Sequence, residues 1–384
     1  MTTIDKKWAP LEQSSESREK IWQKNRTFAG DVWFRFRRKL TAIAGLTMIV
    51  LFLFFALLGP LFTPYSYSDQ NLEMVNIPPM MKVYDVGECR VYITPSLKLI
   101  RVDQGGALAG VLPSTRTEGE KSMMIFDCGS KEVALYYGVS TYVVCDESTG
   151  DIYPSSYIWN HDHILGTDAL GRDILARLMY GTRVSLMVAF VSVLVNLVIG
   201  ILYGGIAGYL GGVVDSIMMR IVDVISTIPL TLYVILIMMI FGQGIQSIVI
   251  ALGCVYWVDM ARVVRGQVLG LKQQEFVLAA RTIGSSSKTI LLQHLIPNAM
   301  GSILVTATML IPSAIFMEAF LGYLGIGLRP PLASLGTMCN DANVNLRTSP
   351  HELFIPALVI CLIMFAFNFV GDGMRDALDP KLKK

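Results

Sequence analysis

The sequence predicts an all-α polytopic membrane protein of six transmembrane helices, with a small β-rich insertion outside the bilayer. Three observations carry this. Hydrophobic residues form 53% of the 384-residue chain and charged residues only 16%, and mean hydropathy is +0.52, far from a soluble average. Crossing a bilayer takes about 20 apolar residues, and runs of that kind fall at 40–62, 184–208, 217–241, 245–257 with its continuation, 300–320 and 353–370. Between the first two runs, residues 65–163 lose this character. They alternate instead in β-type segments at 89–102, 123–128 and 133–145, separated by turn-rich pieces at 105–106 and 148–150.

The elements run in order along the chain. Residues 1–39 are expected to be a cytoplasmic segment, because residues 1–30 lack the apolar core of a signal peptide. Arg35, Arg37, Arg38 and Lys39 precede the span 40–62, and a basic cluster at one end of a span marks the cytoplasmic side. Six crossings return the tail, 373–384, to the same side with Arg375, Lys381, Lys383 and Lys384. Arg262, Arg265, Lys272, Arg281 and Lys288 also fall there. The fourth run is the weakest, since Asp259 and Arg262 truncate it.

The insertion, 63–163, holds Cys89, Cys128 and Cys145, an odd number that allows at most one disulfide and leaves one thiol over. It is either a docking module for a binding protein or a decoration packed over the pore. Residues 164–183 read as an interfacial amphipathic helix. On a helical wheel Leu170, Ile174, Leu175, Leu178 and Met179 share one side, and Arg172, Asp173, Arg177, Tyr180 and Arg183 share the other. Asp168 belongs to the same segment.

The five-helix core spans 184–372 and contains several chemical signals. Gly200, Gly204, Gly208 and Gly212 recur every fourth residue, a small-residue stripe for close helix packing, within this subunit or against a partner. Pro229 and Pro312 are expected to kink their spans. Glu318 is the deepest ionisable residue in an apolar run, and such a carboxylate faces a cavity or a partner, or ties down a re-entrant segment. Asn196 and Asn368 read as inter-helix hydrogen-bonding residues.

Two tempting motifs fail. Residues 284–289, G-S-S-S-K-T, would need glycines at 282 and 287 to make a phosphate loop, where Thr282 and Ser287 stand. His161-Asp162-His163 offers two histidines without a clustered third ligand, so no metal site is expected. The formal net charge of +2 carries no nucleic-acid footprint.

Residues 275–298 read E-F-V-L-A-A-R-T-I-G-S-S-S-K-T-I-L-L-Q-H-L-I-P-N. Two alanines and a glycine at helix-then-turn spacing leave a thin helix end that another protein's groove can enclose. This stretch resembles the cytoplasmic coupling loop of ATP-driven importer permeases. L-G-T-D-A-L-G-R-D at 165–173 resembles the C-type inner-membrane subunit of dipeptide and oligopeptide importers. So do G-Y-L-G-G-V-V-D at 208–215, A-R-V-V-R-G-Q-V-L at 261–269, L-G-Y-L-G-I-G-L-R-P-P at 321–331 and G-D-G-M-R-D-A-L-D-P at 371–380, in the family's order.

The resemblance implies the type I ABC importer permease fold, in a multi-pass subunit of a bacterial cell (inner or plasma) membrane. It implies no catalytic residue in this chain, and ATP and Mg bound by two separate ATPase subunits. A homologous permease would complete the pathway, and an extracytoplasmic binding protein would deliver peptide. Glu275, Ala279, Ala280, Arg281, Gly284 and Pro297, within the loop 272–298, would meet the ATPase. Leu278 departs from the family's usual glutamate, so docking would rest on Arg281, Gly284 and apolar contacts. Gly322, Gly325 and Gly327, with Glu318, would belong to an outer gate. Relatives that carry nickel chelates, glutathione or sugars remain open. The rivals from other classes are an intramembrane hydrolase, for which Asp215 and Asp223 are the nearest candidates, and a membrane-tethered receptor; neither explains the ordered phrases.

Overall fold

The computed structural model describes residues 27–378 apart from 88, 120–121, 130 and 138–141. The assignments made for residues 1–26 and for Lys381, Lys383 and Lys384 lie outside the described residues.

Helix α1, Phe28–Arg38, precedes α2, Leu40–Leu58, with extended Lys39 breaking them apart. Thr27 caps α1, accepting the Gly30 N–H at 3.3 Å. Its Phe36 is buried with Ala42 and Ala377, and the Lys39 ammonium pairs with Asp376. An amphipathic helix thus does precede a span, though the sequence pattern placed it elsewhere.

The insertion forms two antiparallel sheets. Strands β1 Met80–Val86, β2 Cys89–Ile93, β3 Leu99–Val102, β4 Leu108–Leu112 and β9 Ser155–Trp159 lie in the order β4-β3-β2-β1-β9. Strands β5 Ser114–Glu118, β6 Met123–Asp127, β7 Glu132–Tyr136 and β8 Val143–Asp146 make the second, in sequence order. Tyr84, Val86, Val91 and Leu99 of the first sheet meet Phe126, Val133, Leu135 and Val144 of the second, the buried faces of two alternating patterns. The domain is rooted at Ile77, which exchanges hydrogen bonds with Thr167 at 2.9 Å in both directions.

Helix α3, Ile174–Leu210, is a single run of 37 residues. The expected interfacial helix over 164–183 is corrected here. The chain is irregular until Asp173, whose carboxylate accepts the Ala176 N–H at 2.7 Å as N-cap. Gly166 and Gly171, with φ of +84° and +68°, turn the backbone where a helix was drawn. The supposedly wet residues Arg172, Asp173 and Arg177 are all at least 95% buried. A helical wheel presumes a helix, and these polar groups are met by Asp168, Asp341 and His163 instead of water.

The expected span 217–241 is two helices, α4 Gly212–Thr227 and α5 Leu230–Phe241, bent by 84°. Pro229 forces the residue before it out of helical geometry, and Ile228 is extended at φ −83°, ψ 126°. Helices α6 Ile245–Val255 and α7 Trp257–Leu271 meet at Tyr256. Arg262, one of the two charges that seemed to truncate this run, reaches Asp223 of α4 at 3.1 Å, and Arg265 grips Asp215 of the same helix at 2.5 and 2.7 Å. The remaining helices are α8 Glu275–Thr282, α9 Ile296–Tyr323, α10 Leu335–Asn343 and α11 His351–Leu378. Pro312 lies within an uninterrupted α9. Among the described residues five helices are long and apolar enough to cross a membrane, or six if the bent α4–α5 pair counts as one.

The glycine stripe explains the centre of the bundle. A Cβ on Gly200 would lie 2.6 Å from the Met260 Cβ, on Gly204 2.2 Å from the Ala261 carbonyl oxygen, and on Gly208 2.9 Å from the Arg265 carbonyl oxygen. The stripe therefore packs within this subunit, against α7, and the paired numbers rise together, so α3 and α7 run parallel. Gly212 is not part of it. It lies beyond the helix end with φ +58° and has open space around it. Asn196, buried on α3, leaves both side-chain polar atoms without a partner, so the inter-helix bond expected of it is not formed.

Candidate functional site: the loop between α7 and α9 and the hairpin around α10

Helix α8 stands at the end of the bundle away from the β-sheets. Val277 and Ala280 face inward and join the core with Val268, Ile290 and Leu295. The two alanines of the motif therefore part company, because Ala279 is exposed. Phe276, Ala279 and Ile283, at helical spacing, line one exposed flank, and Leu278 is exposed beside them. Ile283 is 84% exposed. The motif by itself does not single out Phe276 or Ile283. The available signal was that both are large and apolar yet fall outside the 277/280 core register.

Arg281 is not free on this surface. Its guanidinium lies 5.7 Å from the centre of the Tyr209 ring, and Lys272 donates to the Tyr209 carbonyl and also lies over that ring. Arg281 thus ties α8, and Lys272 the end of α7, to the last turn of α3, where helix carbonyls favour positive charge. Glu275 is exposed in the first turn of α8, the end at which a carboxylate suits the helix dipole.

Gly284 has φ +88° and nothing within 4 Å of where a Cβ would be. Its N–H donates to the Arg281 carbonyl and that of Ser285 to the Ala280 carbonyl, both at 3.0 Å. This pair of bonds is the left-handed glycine cap of a helix C-terminus. Conformation therefore demands glycine here more directly than bulk does. Ser286 then caps the next helical turn, Ser287–Thr289, through the Thr289 N–H. The phosphate-loop look-alike is thus two helix caps back to back. A six-residue π turn, Ile290–Leu295, runs unbroken into α9 with Pro297 as the second residue of α9.

At the other end, α9 closes on Gly325, φ +76°, with the same cap: Gly325 N–H to Gly322 and Ile326 N–H to Leu321, both 3.0 Å. The chain then packs on itself. A Cβ on Gly322 would lie 2.9 Å from the Gly336 carbonyl carbon, on Gly327 2.7 Å from the Gly322 Cα, and on Gly336 2.3 Å from the Ala319 carbonyl oxygen. Ser334 starts α10 with a capping box to Thr337. Glu318 is fully buried and accepts from the Ser185 hydroxyl at 2.6 Å, and that hydroxyl accepts the Leu335 N–H at 3.3 Å. The acid thus ties α9, α3 and the start of α10 together.

Asp168 accepts the N–H groups of Leu170 and Arg172 on one oxygen, at 2.9 Å each, and the Arg172 and Arg177 guanidinium groups on the other. The same two arginines reach Asp341 of α10 at 3.1 and 2.8 Å. Two carboxylates and two guanidiniums balance, which is the condition for burying them. His163 Nδ1 pairs with Asp173 at 2.9 Å, and Asp162 accepts the Leu108 N–H at 2.6 Å, so this loop joins the insertion to the start of α3.

A family model described as the inner membrane component of binding-protein-dependent transport systems matches residues 200–384, and one described as the N-terminal transmembrane domain of oligopeptide transport permease C matches 27–79. The oligopeptide transport system permease protein OppC of Bacillus subtilis is 38% identical over 98% of this chain and 97% of its own length. The chain belongs to the oligopeptide and dipeptide transport permease family. The dipeptide permease DppC of the same organism is 36% identical over 99% of this permease and 95% of its own length. An inward-facing structure of the MetNI methionine ABC transporter overlaps 53% of this permease and 96% of its own chain, at 21% identity and a TM-score of 0.44.

Proposed function

We propose that this chain is one of two homologous permease subunits of an ATP-driven peptide importer in a bacterial cell membrane. It forms half of a translocation pathway and transmits force from ATPase subunits. The observation that carries the reading is the ridge on α8: Phe276, Ala279 and Ile283 stand exposed at helical spacing while Val277 and Ala280 anchor the same helix in the core. An apolar patch kept on a rigidly anchored helix suits a protein partner. Family membership supports that partner being an ATPase.

Two such ATPases, binding ATP and Mg, would dock here and on the loop of the second permease. Leu278 replaces a charged anchor with an apolar one, so this docking relies on shape and apolar burial. Gly284 ends the helix sharply enough to leave Ile283 at the tip. Closure of the ATPases would move α8 and, through Tyr209, the end of α3. The Glu318 latch and the α10 hairpin, at the far end of that helix, would then open or close the outer side.

Six crossings are supported by the course of the bent pair. Parallel α3 and α7 require the chain to return between them. Asp215 of α4 lies beside Arg265 at one end, and Val234 and Met238 of α5 pack beside Ile248 and Leu252 towards the other. The start of α2 and the end of α11 then fall on the ridge's side, and the basic residues before α2 support a cytoplasmic reading of that side, with the β-sheets outside. There they would adjoin the extracytoplasmic protein that delivers peptide.

The test is a reconstituted complex of both permeases, the ATPases, binding protein and peptide, comparing wild type with Phe276→Ala/Ile283→Ala. Loss of peptide-stimulated hydrolysis and uptake from permeases that still assemble is the expected result. Unchanged stimulation would overturn the assignment of the ridge.

A further inference from the structure

The three cysteines of the β insertion admit three pairings, and their positions select one. Cys89 begins β2 and Cys128 lies just past β6, in opposite sheets, and their Sγ atoms lie 2.8 Å apart. Both side chains point into the core shared by the sheets, among Val86, Val91, Phe126 and Val133. Cys145 is excluded by register. It pairs with Ala134 in β7, and Ala134 faces away from that core with Met123 and Ile125. Its neighbour Val144 faces into the core, so turning Cys145 inward would turn Val144 out. Cys254, Cys339 and Cys361 belong to helices α6, α10 and α11.

We infer that Cys89 and Cys128 form a disulfide that staples the two sheets, and that Cys145 remains a thiol. This rests on the proposed placement of the insertion outside the membrane, where disulfides form and persist. The second sheet is otherwise joined covalently to the first through the β4–β5 and β8–β9 connections, so the bond adds a third covalent link between them.

The oxidant is a disulfide carrier, either a small-molecule disulfide or an oxidised dithiol protein. One cysteine, as thiolate, attacks a carrier sulfur and makes a mixed disulfide, releasing one carrier thiol. The second cysteine's thiolate then attacks the protein sulfur of that mixed bond, forming Sγ–Sγ and releasing the second carrier thiol. Two electrons and two protons pass to the carrier. Burial, with the hydrogen bond to Cys89, pushes the Cys128 thiol up to about 12, so a pair already buried reacts slowly and the exchange belongs to the closing of the domain.

The experiment counts thiols in the full-length permease, taken from cells into denaturant with excess maleimide and weighed by mass spectrometry. With six cysteines in the chain, four adducts are expected without reductant and six with it. Cys89→Ser and Cys128→Ser should each give five adducts, unchanged by reductant. Cys145→Ser should give three, rising to five, and keeps the test valid if the other two variants misfold. Six adducts on wild type without reductant would overturn the inference, as would loss of the bond in Cys145→Ser. Labelling of a separate Lys131→Cys variant by a membrane-impermeant maleimide on intact cells then tells which premise failed. Labelled cells with six free thiols mean that the pairing is wrong and the sidedness right. Unlabelled cells mean that the sidedness is wrong.

Discussion

At Gly284 and at Gly325 the chain closes a helix with the same device, a left-handed glycine whose N–H and that of its successor return to the last turn. The two chains of residues beyond these caps behave differently. After Gly325 the backbone folds onto itself with almost no side-chain volume. Gly322, Gly327 and Gly336 bring backbones together, and Glu318 gathers three segments around one buried carboxylate. At Gly284 a Cβ would meet nothing within 4 Å, and Ile283, Leu278 and Phe276 remain uncovered. The hairpin glycines are closed on by backbone of this same subunit, whereas the apolar residues around the loop's cap stay uncovered. The two regions should therefore respond oppositely to mutation: the hairpin through stability, the loop through coupling.

The sharpest contrast comes from adding bulk. Gly336→Val drives a side chain into the Ala319 carbonyl, 2.3 Å from the ideal Cβ, and backbone cannot yield. We expect about 3 kcal/mol or more of destabilisation, read as loss of monodisperse permease on size exclusion. Next is Glu318→Leu, which strands the Ser185 hydroxyl in a dry site and should cost about 1–3 kcal/mol. Glu318→Gln keeps an acceptor, so its thermal midpoint should lie closer to wild type; equal losses would show that shape rather than the hydrogen bond holds the hairpin.

On the loop the effects shrink. Gly284→Ala meets no neighbour but forces φ +88° on a residue with a Cβ, a cost of about 1 kcal/mol. Gly284→Asn should be milder, since asparagine tolerates that geometry. A clash-driven ranking, in which the larger asparagine is worse, would break the argument from conformation. Smallest of all is Leu278→Glu, which should move stability by within about 0.5 kcal/mol at an exposed position. Any change it brings should appear in stimulated ATP hydrolysis, which compares an apolar with a charged contact at the same place.

Much of this was legible because local chemistry decides it. Apolar runs located the spans, alternation located the strands, and the glycine after Ala279-Ala280 marked the end of α8. The misreadings share a cause. Arg172, Asp173 and Arg177 look like a wet helix face until Asp168 and Asp341 are placed beside the arginines and His163 beside Asp173, Asp341 coming from α10 far along the chain. Gly212 continues the four-residue spacing in sequence, but the helix that gives the spacing meaning ends at Leu210. The Tyr209 ring beside Arg281 was equally out of reach of local spacing, though it leaves Arg281 exposed. Helix α1 was hidden because a short aromatic and basic stretch has no signature without the Phe36 contact to Ala42 and Ala377.

By itself the sequence determined a multi-span membrane protein of a transport permease type, with its insertion, its capped loop and its glycine stripe. Hydropathy, strand alternation and glycine's backbone freedom act over a few residues and are written in them. Only the tertiary structure decided which apolar residues stay uncovered, which charges neutralise one another, and which helix the stripe receives. Those outcomes depend on groups distant in the chain, whose pairing costs or gains free energy only once packing brings them within a few ångströms.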